Sequence, residues 1–162
     1  MVSGSNDNTI RIWDIRKGYR LSLLGHKAAI KALSLFPQSN RMLVSGGGCK
    51  DFSIKVWDIE TGFLHNSFNT KNQICGLKWT ENGEKLISIH GYYKNNICFW
   101  KFPQMLITDE LVGHVHRVLF SAENKNLGML ATAAPNDSLK IWSISEENRS
   151  HLAEKDSILV LR

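Results

Sequence analysis

Apolar and polar residues alternate along short stretches of this chain, and the stretches recur at a nearly fixed interval. Ile10-Arg11-Ile12-Trp13, Ile54-Lys55-Val56-Trp57, Ile97-Cys98-Phe99-Trp100 and Leu139-Lys140-Ile141-Trp142 are the four runs. A period of two marks a strand with one buried face. Each run sits inside a longer phrase: "NDNTIRIWDI" at 6–15, "KDFSIKVWDI" at 50–59, then the fainter "KNNICFWKF" at 94–102 and "NDSLKIWSI" at 136–144. The four tryptophans stand 44, 43 and 42 residues apart. The pattern predicts an all-β molecule built from repeats of one sheet.

Other residues keep step with the tryptophans. Gly25-His26 precedes the second unit and Gly113-His114 the fourth. A period of this length with Gly-His and Trp-Asp signals resembles the WD40 repeat, in which each unit is a four-stranded propeller blade. In that fold His26, Ser45, Asp51 and Trp57 can form a hydrogen-bonded chain that gives each buried polar group a partner. The corresponding set in the fourth unit is His114, Thr132, Asn136 and Trp142, with asparagine replacing the aspartate. The third unit has Ser88 and Trp100, but Thr70 stands in the histidine's place and Lys94 in the aspartate's, so this blade is expected to rely more on packing. Both Gly-His histidines are thereby structural.

Blade boundaries follow from the same spacing: a partial blade at 1–24, blades at about 25–68, 69–112 and 113–144, and a polar tail at 145–162. The first unit has Ser3, Asp7 and Trp13 but no strand or histidine before them. About three and a half blades result, whereas propellers close with typically four to eight. An unclosed fan leaves two exposed sheet edges. The expectation is part of a seven-bladed propeller, or an arc completed by a partner.

Composition narrows the chemistry. Hydrophobic content of 43% and charged content of 22% are ordinary for a globular protein. No apolar run approaches the ~18–20 residues a membrane span needs, and "MVSGSNDNT" lacks the succession of a secretory signal. Three cysteines without a CxxC pair fit a reducing setting, nucleus and cytoplasm. Net charge is +5, and six basic residues crowd into 11–31 against Asp14 alone. A nucleic-acid patch is one reading. Solvated strand faces and turns are the preferred one, because no aromatics interleave with those charges as a base-stacking surface requires. "SGGGCK" is not a GxxxxGK[ST] phosphate loop. His114 and His116 have no cysteine or carboxylate partners at ligand spacing. No GxSxG elbow or HExxH occurs. Neither an enzymatic site, a metal nor a cofactor is expected.

The loops narrow the resemblance further. "SGSNDN" at 3–8, the hairpin "SGGGCKD" at 45–51, "HGYYKNNICFWKFPQM" at 90–105 and "HRVL" at 116–119 are together similar to the fizzy/fizzy-related family. Its members are substrate-recruiting coactivators of the anaphase-promoting complex, a ubiquitin ligase. The resemblance implies that Asn6, Asn8, Cys49, Gln73 and Arg117 line the site for a Lys-Glu-Asn degron, with Cys49 a departure from a frequent threonine. It implies that Asp137 holds the arginine of a destruction box, and that Leu161-Arg162, a variant of a terminal Ile-Arg, docks on helical-repeat subunits of the ligase. Partners would be those subunits, degron-bearing cell-cycle substrates and checkpoint inhibitors, with no membrane. Independently of any family, Ala29, Gln73 and Arg117 occupy equivalent repeat positions 44 residues apart, so a propeller gathers them on one rim. The alternatives are a WD40 scaffold for other complexes, a nucleic-acid-associated propeller using 11–31, and a truncated, inactive product.

Overall fold

A computed structural model describes residues 1–124, 126–136 and 138–144. These form fourteen strands in four antiparallel sheets and no helix. The first sheet contains β1 (Val2–Gly4), β2 (Ile10–Asp14) and β3 (Gly18–Leu23). The second runs β4 (Ile30–Leu35), β5 (Met42–Gly47), β6 (Ser53–Asp58) and β7 (Leu64–Asn69). The third runs β8 (Ile74–Trp79), β9 (Lys85–His90), β10 (Ile97–Lys101) and β11 (Leu106–Leu111), and the fourth β12 (Phe120–Asn124), β13 (Met129–Ala134) and β14 (Ser138–Ser143). In every sheet the spatial order of strands is their order in the chain. This is the meander of a propeller blade, and the molecule is an arc of such blades.

Successive sheets bury their apolar faces against one another. Ile10, Ile12 and Leu23 of the first sheet meet Ile30, Leu43 and Trp57 of the second. Val44, Ile54 and Val56 on the second sheet's other face meet Ile74, Leu86 and Trp100. Ile87, Ile89, Ile97 and Phe99 then meet Val118, Leu130 and Trp142. Because strand side chains alternate in direction, both faces of β6, β9 and β10 are buried, each against a different neighbour. Each tryptophan lies on the face turned to the preceding sheet. Trp57, Trp100 and Trp142 are buried there, while Trp13, with no preceding sheet among the described residues, is half-buried.

Two local features recur with the repeat. The pairing register shifts just before Trp13, Trp57 and Trp100, a bulge that increases strand twist where the indole must reach back to the neighbouring strand. In addition, in the first two sheets the strand before the tryptophan strand passes so close to the next blade's inner strand that only glycine fits: a Cβ at Gly4 would run into Ile30, and one at Gly46 into Ile74.

Candidate functional site

Main-chain hydrogen bonds sew the β1–β2, β5–β6 and β9–β10 hairpins to the segments that lead into β4, β8 and β12, so all of them lie on one rim. Ile30 N donates to Ser5 O at 3.1 Å, Gly48 N to Ala29 O at 2.9 Å and Gly91 N to Gln73 O at 2.9 Å, and Val118 N donates to His90 O at 3.3 Å. Gly48 and Gly91 hold equivalent places in two blades. The contact around Gly91 defines the centre of the site. A Cβ built there would stand 3.1 Å from Gln73 Oε1, 3.1 Å from Arg117 Cβ and 2.9 Å from Cys75 Sγ. Gln73 and Arg117, 44 residues apart in sequence, therefore flank one glycine. Arg117 is exposed and makes no ion pair among the described residues. Burial pushes the Cys75 thiol up, with Arg117 and Lys31 pulling the other way.

Asn6 and Asn8 occupy the first hairpin. Asp7 between them shapes it, accepting from Thr9 Oγ1 at 2.6 Å, Thr9 N at 3.0 Å and Arg11 Nη2 at 2.7 Å. The Thr9 hydroxyl, above the other donors, holds the Asp7 carboxyl well below the usual carboxylate range. Asn8 adopts φ of 68°, a left-handed conformation that asparagine tolerates well. Neither amide side chain is hydrogen-bonded among the described residues, so both are free to engage a ligand. Cys49 is exposed in the second hairpin, beside Gly48. Asp137, Leu161 and Arg162 lie outside the described residues.

Behind the rim His26, Ser45, Trp57, His114, Thr132 and Trp142 are buried, while Asn136 is exposed. Trp57 Nε1 donates to Ser45 Oγ at 2.7 Å, Ser45 is 2.6 Å from His26 Nε2, and His26 Nδ1 meets the Asp51 carboxylate. Burial lowers the His26 pKa even so. In the fourth sheet Trp142 Nε1 donates to Thr132 Oγ1 at 2.7 Å, and Thr132 lies 2.8 Å from His114 Nε2. His114 Nδ1 then meets Ser138 at 3.3 Å, and Ser138 donates to Asn136 at 2.8 Å. Asn136 thus reaches His114 through Ser138. Burial, then Lys140, lowers the His114 pKa.

The third sheet holds a residue that the expected pattern missed. Trp100 Nε1 donates to Ser88 Oγ at 2.6 Å, and Ser88 bonds His90 Nε2 at 2.7 Å. A histidine is present after all, supplied by β9 itself, while Thr70 bonds the carbonyls of Phe52 and Asn72, each at 2.9 Å. The available signal was the spacing Ser88-x-His90, which puts both side chains on one strand face. His90 is fully buried. Also missed were three ring-bearing residues on the rim, Phe52, Tyr92 and Tyr93.

Similarity to known proteins agrees with this architecture. The repeat-family model "WD domain, G-beta repeat" matches residues 1–14 and 18–58. The B-type cell cycle switch protein ccs52B of Medicago truncatula is 35% identical over 158 residues, covering 97% of this chain and 32% of that protein. The anaphase-promoting complex subunit cdc20 of Dictyostelium discoideum is likewise 35% identical, over 97% of this chain and 32% of its own length. A crystal structure of the mitotic checkpoint complex contains a chain with a TM-score of 0.84 and 32% identity, over 90% of this chain and 45% of that one. The chain therefore spans about a third of the curated relatives it matches. Four tryptophan-centred sheets, one shared rim and these relatives together identify a partial WD40 propeller, similar over most of its length to the Cdc20/fizzy-related proteins.

Proposed function

We propose that this chain forms part of a substrate-recognition adaptor of the anaphase-promoting complex. The observation that carries the reading is the convergence of Gln73 and Arg117 on Gly91. An unpaired, exposed arginine and a free amide flanking one glycine suit a glutamate followed by an asparagine, through charge-assisted bonds to the acid and paired amide bonds to its neighbour. Asn6, Asn8 and the exposed Cys49 extend the same rim. Asp137 would hold a destruction-box arginine, and Leu161-Arg162 would dock on helical-repeat subunits of the ligase. Cell-cycle substrates and checkpoint inhibitors are the partners, in nucleus and cytoplasm.

The role is presentation and not chemistry. Ser45, His26 and Asp51 resemble a hydrolytic triad in composition, yet Ser45 is fully buried and accepts from Trp57, so no substrate can approach its hydroxyl. Nor does the structure favour nucleic acid on 11–31. Arg16 and Lys17 lie in the β2–β3 turn, at the end of the sheet opposite Lys27 and Lys31, and Arg11 is spent on Asp7. Fluorescence anisotropy with a labelled Lys-Glu-Asn peptide tests the proposal. Arg117→Glu should weaken binding by roughly tenfold to a hundredfold, since hydrogen bonds to charged groups contribute ~1.5–3 kcal/mol. Equal affinity for the peptide and an Ala-Ala-Ala control would remove the reading.

A further inference from the structure

The three rings on the rim do not belong to the site described so far. Phe52 closes the β5–β6 hairpin, and Tyr92 and Tyr93 follow Gly91 in the β9–β10 hairpin. Phe52 and Tyr93 meet edge to face, with centroids 6.1 Å apart and planes at 65°. Tyr92 and Tyr93 do the same at 5.2 Å and 71°. Tyr92 is 66% exposed and Tyr93 72%, a large apolar surface left in water at a loop tip.

Backbone conformation makes the arrangement more telling. Phe52 has φ of 57° and Tyr93 φ of 90°, both in the left-handed region where a bulky side chain is disfavoured. The Phe52 conformation recurs at the equivalent hairpin positions Asn8 and Asn95, with φ of 68° and 51°, and so belongs to the turn, whereas Tyr93 has no such counterpart and its strain persists only where the surroundings enforce it. The enforcing contacts are visible. Phe52 N donates to Gly48 O at 3.1 Å, and Phe52 O accepts from Thr70 N at 2.8 Å. Asn95 N closes the second turn on Gly91 O at 3.1 Å, and Asn95 Nδ2 ties it to Val115 O at 2.7 Å. Two separate hairpins thus hold their rings against each other at fixed orientation.

Three lysines stand beside the rings. Lys50 is in the Phe52 hairpin, Lys71 follows Thr70, which is bonded to Phe52, and Lys94 follows Tyr93. Lys50 and Lys71 have no acidic partner among the described residues; Lys94 lies 3.6 Å from Glu110. We propose that Phe52, Tyr92 and Tyr93 form a notch that receives an apolar or aromatic side chain from an extended peptide, with Lys50 and Lys71 attracting acidic residues beside it. The notch begins at the residue after Gly91, so the peptide is one that also occupies the Gln73–Arg117 site. The inference rests on the adaptor reading and adds a preference for acidic, apolar sequence flanking the degron. A peptide fits better than nucleic acid because edge-to-face rings offer a cleft for one side chain, whereas stacked bases need parallel platforms.

Anisotropy on the full chain decides the matter with two labelled peptides. Both carry Lys-Glu-Asn; one has Ala-Ser-Gly flanks and the other Phe-Asp-Glu on each side. The second should bind about tenfold tighter, the gain expected of one well-placed aromatic contact with charge assistance. Tyr93→Asn, chosen because asparagine tolerates a left-handed backbone, should abolish that gain and leave the plain peptide unchanged. Tyr92→Ser, at a position without positive φ, should reduce it, and Lys50→Glu with Lys71→Glu should invert the preference for acid. Equal binding of the two peptides overturns the notch while leaving the adaptor reading intact. Tyr93-dependent binding of Phe-Asp-Glu segments with no contribution from Lys-Glu-Asn keeps the notch and removes that reading. Tyr93-dependent binding of single-stranded RNA in place of either peptide overturns the assignment to a peptide.

Discussion

Protonation of His90 is opposed by its surroundings. Burial pushes its pKa down from 6.5 to about 4. An unfolded chain takes up the proton near the ordinary value, whereas the folded chain resists until much lower pH. Acidification therefore favours unfolding between about pH 6.5 and 4, where up to about 3 kcal/mol of stability is lost. Urea titrations at pH 7 and pH 4.5 should show that loss, and His90→Gln should flatten it while His26 and His114 continue to contribute in the same direction. The same histidine shows where sequence reasoning runs out at this scale. The slot before the inner strand contains His26, four residues ahead of β4, Thr70, four ahead of β8, or His114, six ahead of β12, and only the first and last match. A functional substitute from a different strand becomes visible only when Ser88 and His90 are seen to share a face. The serine–tryptophan pairs were legible, because a twelve-residue separation repeats in Ser45–Trp57 and Ser88–Trp100.

Strands and hairpins were written plainly where alternation held, in β2, β6, β10 and β14, each centred on its tryptophan. The outer strands β3, β7 and β11 carry little such pattern, because most of their residues are exposed and so carry no one-face signal. The glycines of the "SGGGCK" hairpin are expected from sequence to supply positive φ angles, but Gly46, Gly47 and Gly48 do not adopt them; Gly46 is needed because its Cα faces Ile74 of the next blade at a distance no Cβ can share. Gly46→Ala should accordingly destabilise the protein by about 1–3 kcal/mol through overpacking, read as a lower denaturation midpoint with unchanged m-value. The aromatic notch was hidden for a related reason. Phe52 and Tyr93 belong to different elements, and nothing local announces that two hairpins 41 residues apart hold their rings together.

At the level of the whole arc, the two end sheets differ. The first turns Trp13 outward, its indole bonded to Ser3 at 2.8 Å. The fourth turns outward a face whose cross-strand rows are Phe120, Ala133 and Leu139, then Ala122, Ala131 and Ile141. Phe120 is 72% exposed. Among the described residues nothing covers this apolar sheet face, which predicts self-association or dye binding that depends on it. Phe120→Lys should raise the concentration at which light scattering detects association, whereas Tyr19→Lys on the first sheet should change it little. The main-chain stitching of the rim has a separate outcome. Gly48 and Gly91 bond to the carbonyls of residues 29 and 73, so the side chains at those two places are not needed to keep the frame. Position 29 carries only a methyl group, beside the hairpin that presents Cys49. It is a blank character in an otherwise spelled-out line, and evolution or a designer can fill it to change what the ring accepts without rebuilding the ring.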